Sequence, residues 1–105
     1  MSNLAATASV PTASASRYLQ QLCKHWAHNL AVTFNAGEGR ILFPKDARGL
    51  NFPGDGTVTL KAYETGLEVL VDASAPEQLE GLEGAVASHL DRFAFREAPL
   101  AFNWR

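Results

Sequence analysis

Apolar residues recur along this chain in two different rhythms, and the switches between them mark its elements. Over Leu4–Val10 the alternation has a period of two, with Ala6, Ala8 and Val10 on one side and Thr7 and Ser9 on the other. Side chains this small suit a sheet position covered by a helix. Beyond Pro11 the period becomes helical. Leu19, Leu22, Cys23, Trp26 and Leu30 share one arc of a helical wheel, with Tyr18 at its border. Arg17, Gln20, Gln21, Lys24 and His28 occupy the opposite arc, which predicts an amphipathic surface helix. Thr12 or Ser14 is placed to cap its start. Asn29 is placed to stop it, because Asn tolerates the left-handed conformation.

The two-residue rhythm then returns. Ala31–Asn35 and Arg40–Phe43 flank Ala36-Gly37-Glu38-Gly39 and read as a hairpin. Pro44–Gly56 is long for a loop in a small domain, so a short strand around Gly49–Phe52 is expected inside it. Thr57–Tyr63 follows with Val58, Leu60 and Ala62 inward, then a turn at Glu64-Thr65-Gly66, then Leu67–Asp72 with Leu67, Val69 and Val71 inward. Pro76 opens a second helix where its missing N–H costs nothing. Leu79, Leu82, Val86, Leu90 and Phe93 form its apolar stripe. Gly81 and Gly84 each lower helix propensity by about 1 kcal/mol against Ala, a cost the fold can carry if this helix approaches the sheet closely there. After Pro99, Leu100–Trp104 reads as a terminal strand with Phe102 and Trp104 on one face. The order is β-α-β-β-β-β-α-β. Short turns between successive strands make the sheet antiparallel, and two amphipathic helices must bury their stripes on one face of it. The fold class is α+β, a single domain over residues 1–105 with residues 1–4 expected to be disordered.

Composition acts mainly by exclusion. The chain has 105 residues, 47% hydrophobic and 19% charged, which is the balance of an ordinary globular domain rather than a disordered one. A net charge of −2 offers no basic field for nucleic acid. No apolar run approaches the roughly 20 residues that span a bilayer, and the first residues lack the basic and apolar regions of a secretory signal. The one cysteine, Cys23, permits no internal disulfide and fits a reducing compartment. A cytoplasmic location is therefore expected.

Two long motifs carry a family resemblance. The run from Ser16 through Arg17, Tyr18, Cys23, His25 and Trp26 to His28, together with His89-Leu90-Asp91-Arg92-Phe93-Ala94-Phe95-Arg96-Glu97 and the terminal Trp104, resembles the bacterial domain-of-unknown-function family DUF2218 over almost the whole chain. The resemblance implies a small, soluble bacterial protein associated with siderophore-interacting proteins and iron-uptake genes. It brings no catalytic residue with it. The segment around Gly49–Gly56 departs from the family pattern in being longer and richer in Gly and Pro.

Three chemistries are open to these motifs. His25 and His28 lie about 60° apart on a helix, so they share one rim, and neutral imidazole is the commonest metal ligand. His89 would supply the third ligand such a site needs. Cys23 points about 160° away from His25, and Arg17 and Lys24 would oppose a cation beside His28. The structural alternative is an exposed His28 and a hydrogen-bonded His25.

The second chemistry is a cleft between the two helices, framed by Tyr18, His25, His89, Arg92 and Arg96 over an aromatic floor. Arginine pairs bidentately with oxyanions, so this lining suits a small anionic ligand. The structural alternative has His89 bonded to a backbone carbonyl and Arg92 paired with Asp91 or Glu97.

The third is nucleophilic catalysis by Cys23. The wheel sets that thiol between Leu19 and Trp26 on the apolar side, where Cys behaves as a small hydrophobe. Paired carboxylates, a phosphate loop and a nucleophile elbow are all missing, which leans against an enzyme. The expected role is a binding or accessory module in iron or siderophore metabolism. Its partner would be a small anionic ligand or a siderophore-pathway protein, with no nucleic acid and no membrane. The alternatives are metal binding by His25, His28 and His89, and a structural homodimer formed through an exposed sheet face. No cofactor follows from these residues.

Overall fold

A computed structural model describes residues 4–46 and 51–105. The elements run β1 (Leu4–Pro11), α1 (Ala15–Trp26), β2 (Ala31–Phe34), β3 (Glu38–Phe43), β4 (Gly56–Ala62), β5 (Gly66–Ala73), α2 (Pro76–Phe93) and β6 (Asn103–Trp104). The six strands form one sheet in the order β2-β3-β4-β5-β1-β6, every neighbouring pair antiparallel. Both helices pack on the same face, so the fold is α+β with the element order read from the sequence. Leu4 opens β1 opposite Ala73, and residues 1–3 of the expected disordered start lie outside the described residues.

β1 is an inner strand despite its small side chains. Ala6, Ala8 and Val10 turn toward the helices and are buried, as the alternation predicts. In β4 and β5 the inward residues Val58, Leu60, Leu67, Val69 and Val71 are fully buried beneath the same helices. Tyr63 and Gly66 close the β4–β5 hairpin through paired backbone hydrogen bonds. At the β2–β3 turn the Asn35 Oδ1 accepts from the backbone N–H groups of Gly37 and Glu38 at 2.8 and 2.9 Å. An Asn side chain replaces a backbone acceptor in this way at many tight turns.

Close approach between helix and sheet occurs at glycines of the strands. A Cβ on Gly39 would lie 2.6 Å from Cys23 Sγ, and one on Gly56 would lie 2.7 Å from Leu82 Cδ1. The helix glycines behave differently from the sequence expectation. A Cβ on Gly81 or Gly84 would meet nothing within 4 Å, so neither glycine serves contact with the sheet.

The helix ends also depart from the sequence reading. Ser14 precedes α1 without a side-chain cap. Thr12 instead accepts from the Ser14 N–H at 3.1 Å and donates its hydroxyl to Glu97. The last helical residue of α1 is Trp26, whose carbonyl accepts from both Asn29 and Leu30, so the helix stops before Asn29 is reached. At the start of α2, Gln78 is buried. Its Oε1 accepts from the Ser74 N–H, and its Nε2 donates to the Gly54 carbonyl at 3.0 Å. That network ties the segment before β4 to the helix. Of the strand expected around Gly49–Phe52, Gly49 and Leu50 lie outside the described residues, while Asn51 and Phe52 belong to no strand.

Candidate functional site

The last turn of α1 and the second half of α2 meet through a file of aromatic rings. Trp26, buried because it completes the apolar stripe of α1, stands edge-on to Phe43 of β3 with ring centroids 5.0 Å apart. His89 of α2 also lies 5.0 Å from Trp26. His25 follows at 5.1 Å from His89, and Phe93 at 5.9 Å from His25. His89 Nδ1 is 2.7 Å from the Ala85 carbonyl. A carbonyl only accepts, so this nitrogen carries the proton, and in the neutral ring Nε2 is left as an acceptor.

On the Trp26 and Phe43 side of this file a cleft of about 650 Å³ opens between the helices and β3. α2 contributes Glu77, Gly81, Ala85 and His89 to its wall. These residues are spaced four apart and so follow one face of the helix. Trp26, Phe43, Phe52 and Leu82 supply apolar surface, and Asp46 adds a second carboxylate. Gln78 also lines the cleft, but its amide is engaged with Ser74 and Gly54.

The residues singled out in the sequence are only partly brought together. His25 and His89 are neighbours. His25 is exposed at the border of α1, and its partial desolvation holds its pKa below the ordinary imidazole value, with the charges of His89, Arg92 and His28 lowering it further. Tyr18 is elsewhere: buried, it donates its hydroxyl to Glu97, which also accepts from Thr12. That hydrogen bond, burial and the Glu97 charge together raise the Tyr18 pKa above that of an ordinary phenol. Arg96 lies over the exposed ring of Phe95, 5.7 Å from its centre. Asp91 accepts from the Leu100 N–H at 2.9 Å, so both carboxylates considered for Arg92 have other partners. Among the described residues no group of three His, Cys, Asp or Glu side chains is placed to hold a metal ion, and His28 sits exposed in the turn after α1. Cys23 is fully buried against Gly39, and burial pushes its thiol up to about 11.

Sequence reasoning missed Phe43, Phe52, Asp46, Glu77 and Gly81 as parts of one cleft. A signal was available in α2. The series Glu77, Gly81, Ala85, His89 is a stripe of small residues with a polar group at each end, running beside the apolar stripe.

No curated protein matches this chain. The NMR structure of PA4090 from Pseudomonas aeruginosa is similar to it, at 29% sequence identity and a TM-score of 0.73, over 96% of this chain and 94% of that one. Among the described residues no helix is long and apolar enough to cross a membrane. A model of the bacterial family described as "Uncharacterized protein conserved in bacteria (DUF2218)" matches residues 7–105, and the chain belongs to that family.

Proposed function

We propose that this protein is a small-molecule-binding module whose ligand occupies the cleft between α1, β3 and α2. The observation that carries this reading is the cleft itself. Protein interiors close up to crystal-like density and keep few voids larger than a water molecule. A concavity of about 650 Å³ with an aromatic lining falls in the range that binds small organic ligands. Gly81 supports the same reading. It costs the helix about 1 kcal/mol in propensity, it makes no close approach to the sheet, and it stands on the cleft wall. What it does provide is space.

The lining bears on the kind of ligand. Of the five residues considered for a small anion, only His89 lines this cleft. Tyr18 is committed to Glu97, and Arg96 lies over Phe95. The family resemblance supports iron or siderophore metabolism as the setting in which such binding is used.

Gly81→Leu tests the proposal. A leucine at this position improves helix propensity and projects into the open space, so the variant should be at least as stable as the parent. A library of apolar and aromatic fragments is screened by thermal shift against both proteins. A native-state ligand raises the wild-type midpoint by mass action, and that rise should vanish in Gly81→Leu. Equal shifts in both proteins, or no fragment acting on either, would overturn the assignment.

A further inference from the structure

We infer that the ligand of this cleft is an organic cation, a protonated amine carried on an aromatic or aliphatic body. The inference rests on the cleft being a ligand site and concerns only what it selects.

The lining leaves over a one-sided hydrogen-bonding capacity. Asp46 and Glu77 are carboxylates, which accept and do not donate. His89 spends its Nδ1 proton on the Ala85 carbonyl, which in the neutral ring leaves Nε2 as an acceptor. Gln78 spends its Oε1 on Ser74 and its Nε2 on Gly54. Among the described lining residues there is no Lys or Arg, and the side-chain donors left over are neutral: the Trp26 indole N–H, the Asn29 amide and the second N–H of Gln78. The two carboxylates give this lining a surplus of charged acceptors, which a positively charged donor matches and an anion does not.

The electrostatics of the cleft point the same way. Trp26, Phe43 and Phe52 line the cleft, and aromatic rings attract cations through their quadrupoles, most strongly where water is partly excluded. A carboxylate ligand would instead meet Asp46 and Glu77. The positive end of the α2 dipole would favour an anion near residue 77, but the helix already places Glu77 in its first turn to answer it. Along α2, Glu77 and His89 stand about 18 Å apart at 1.5 Å per residue, with Gly81 and Ala85 between them. The apolar body of the ligand lies along those two small residues, with its ammonium toward Glu77.

Three probes of matched size separate the possibilities: 2-phenylethylammonium, 2-phenylethanol and 3-phenylpropanoate. Each is titrated at pH 7.5 into wild-type protein, Glu77→Gln and Gly81→Leu, with affinity read from amide chemical shifts. The ammonium should bind about tenfold or more tightly than the alcohol, with the carboxylate weakest. Glu77→Gln should weaken the ammonium about threefold and leave the alcohol unchanged, and Gly81→Leu should abolish both. If the alcohol matches the ammonium and both are lost in Gly81→Leu, the cleft binds neutral ligands and the cation inference alone fails. Tightest binding by the carboxylate overturns it as well. If none of the three binds, or binding is indifferent to Gly81→Leu, the cleft assignment falls with it.

Discussion

Replacing Gly39 by Ala should destabilise the protein through one identifiable contact, and the structure says how to relieve it. The new Cβ would lie 2.6 Å from Cys23 Sγ, 3.3 Å from Phe34 Cβ and 3.4 Å from Leu19 Cδ2. The first distance is the severe one. Cys23 and Leu19 are fully buried on α1, so neither can swing into solvent. Overpacking of this kind costs about 1–3 kcal/mol. The smaller conformational entropy of Ala in the unfolded chain returns about 0.4–1 kcal/mol of that, which leaves a net loss of about 1–2 kcal/mol. Cys23→Ala alone deletes a buried sulfur and should cost about 1 kcal/mol through lost contact and a small void. In the double variant the methyl at position 39 occupies space vacated by the sulfur. Its cost should therefore fall below the sum of the two single costs, by about 1 kcal/mol. Urea unfolding followed by tryptophan fluorescence measures all three variants. Thermal melts give an independent check, because 1 kcal/mol corresponds to roughly 4–8 °C in a domain of this size. Additivity within about 0.5 kcal/mol would show that the two positions do not touch. α1 would then not be seated on β3 as described.

The ionisable groups give three further expectations. Cys23, raised from 9.0 to about 11, forms about 100-fold less thiolate at neutral pH and is also shielded by burial, so a thiol reagent should label it slowly in native protein and rapidly in denaturant. Comparably fast native labelling would place that face of α1 wrongly. The His25 pKa is lowered in the folded state, so this group supports stability above pH 6.5 and withdraws it as pH falls through the lowered value. His25→Gln should flatten the acid side of the stability profile, and an unchanged acid slope would contradict the placement of His25 beside His89. The Tyr18 pKa is raised, so its contribution is intact below pH 10.0 and is lost as pH climbs through the raised value. Tyr18→Phe should blunt alkaline unfolding while lowering stability at neutral pH by about 1 kcal/mol, the worth of one hydrogen bond. Parallel alkaline limbs for the two proteins would refute the Tyr18–Glu97 bond.

The fold was legible in the sequence because each element carries its own period. Ala6, Ala8 and Val10 announced a covered strand, and the Leu19–Trp26 stripe announced a helix lying on a sheet. The site was less legible because a period fixes the face of one element and not which borders of two elements adjoin. His25 and His89 do meet, yet Tyr18, at the border of the same helix, reaches Glu97 79 positions away along the chain. Nothing local to Tyr18 encodes that partner. Gly81 and Gly84 were legible as anomalies but carried the wrong explanation, since the glycines that permit close helix–sheet contact are Gly39 and Gly56 on the strands. A strand glycine looks like a turn or a weak position until the helix above it is in place. Phe43 and Phe52 come from chain segments far from both motifs, so only the tertiary structure gathers them beside Trp26.

The two tryptophans allow a ligand site on the Trp26 side of the helix pair to be tested within a single spectrum. Trp26 lines the cleft, whereas Trp104 stacks on Phe102 at 6.0 Å in β6, at the opposite edge of the sheet from β2. Each contributes one indole N–H resonance to the proton–nitrogen spectrum of labelled protein. Titration with 2-phenylethylammonium should move the Trp26 indole signal along a saturating curve and leave that of Trp104 in place. Gly81→Leu should hold both signals still. Movement of both indoles in parallel, or a stationary Trp26 throughout the titration, would contradict a ligand site in this cleft.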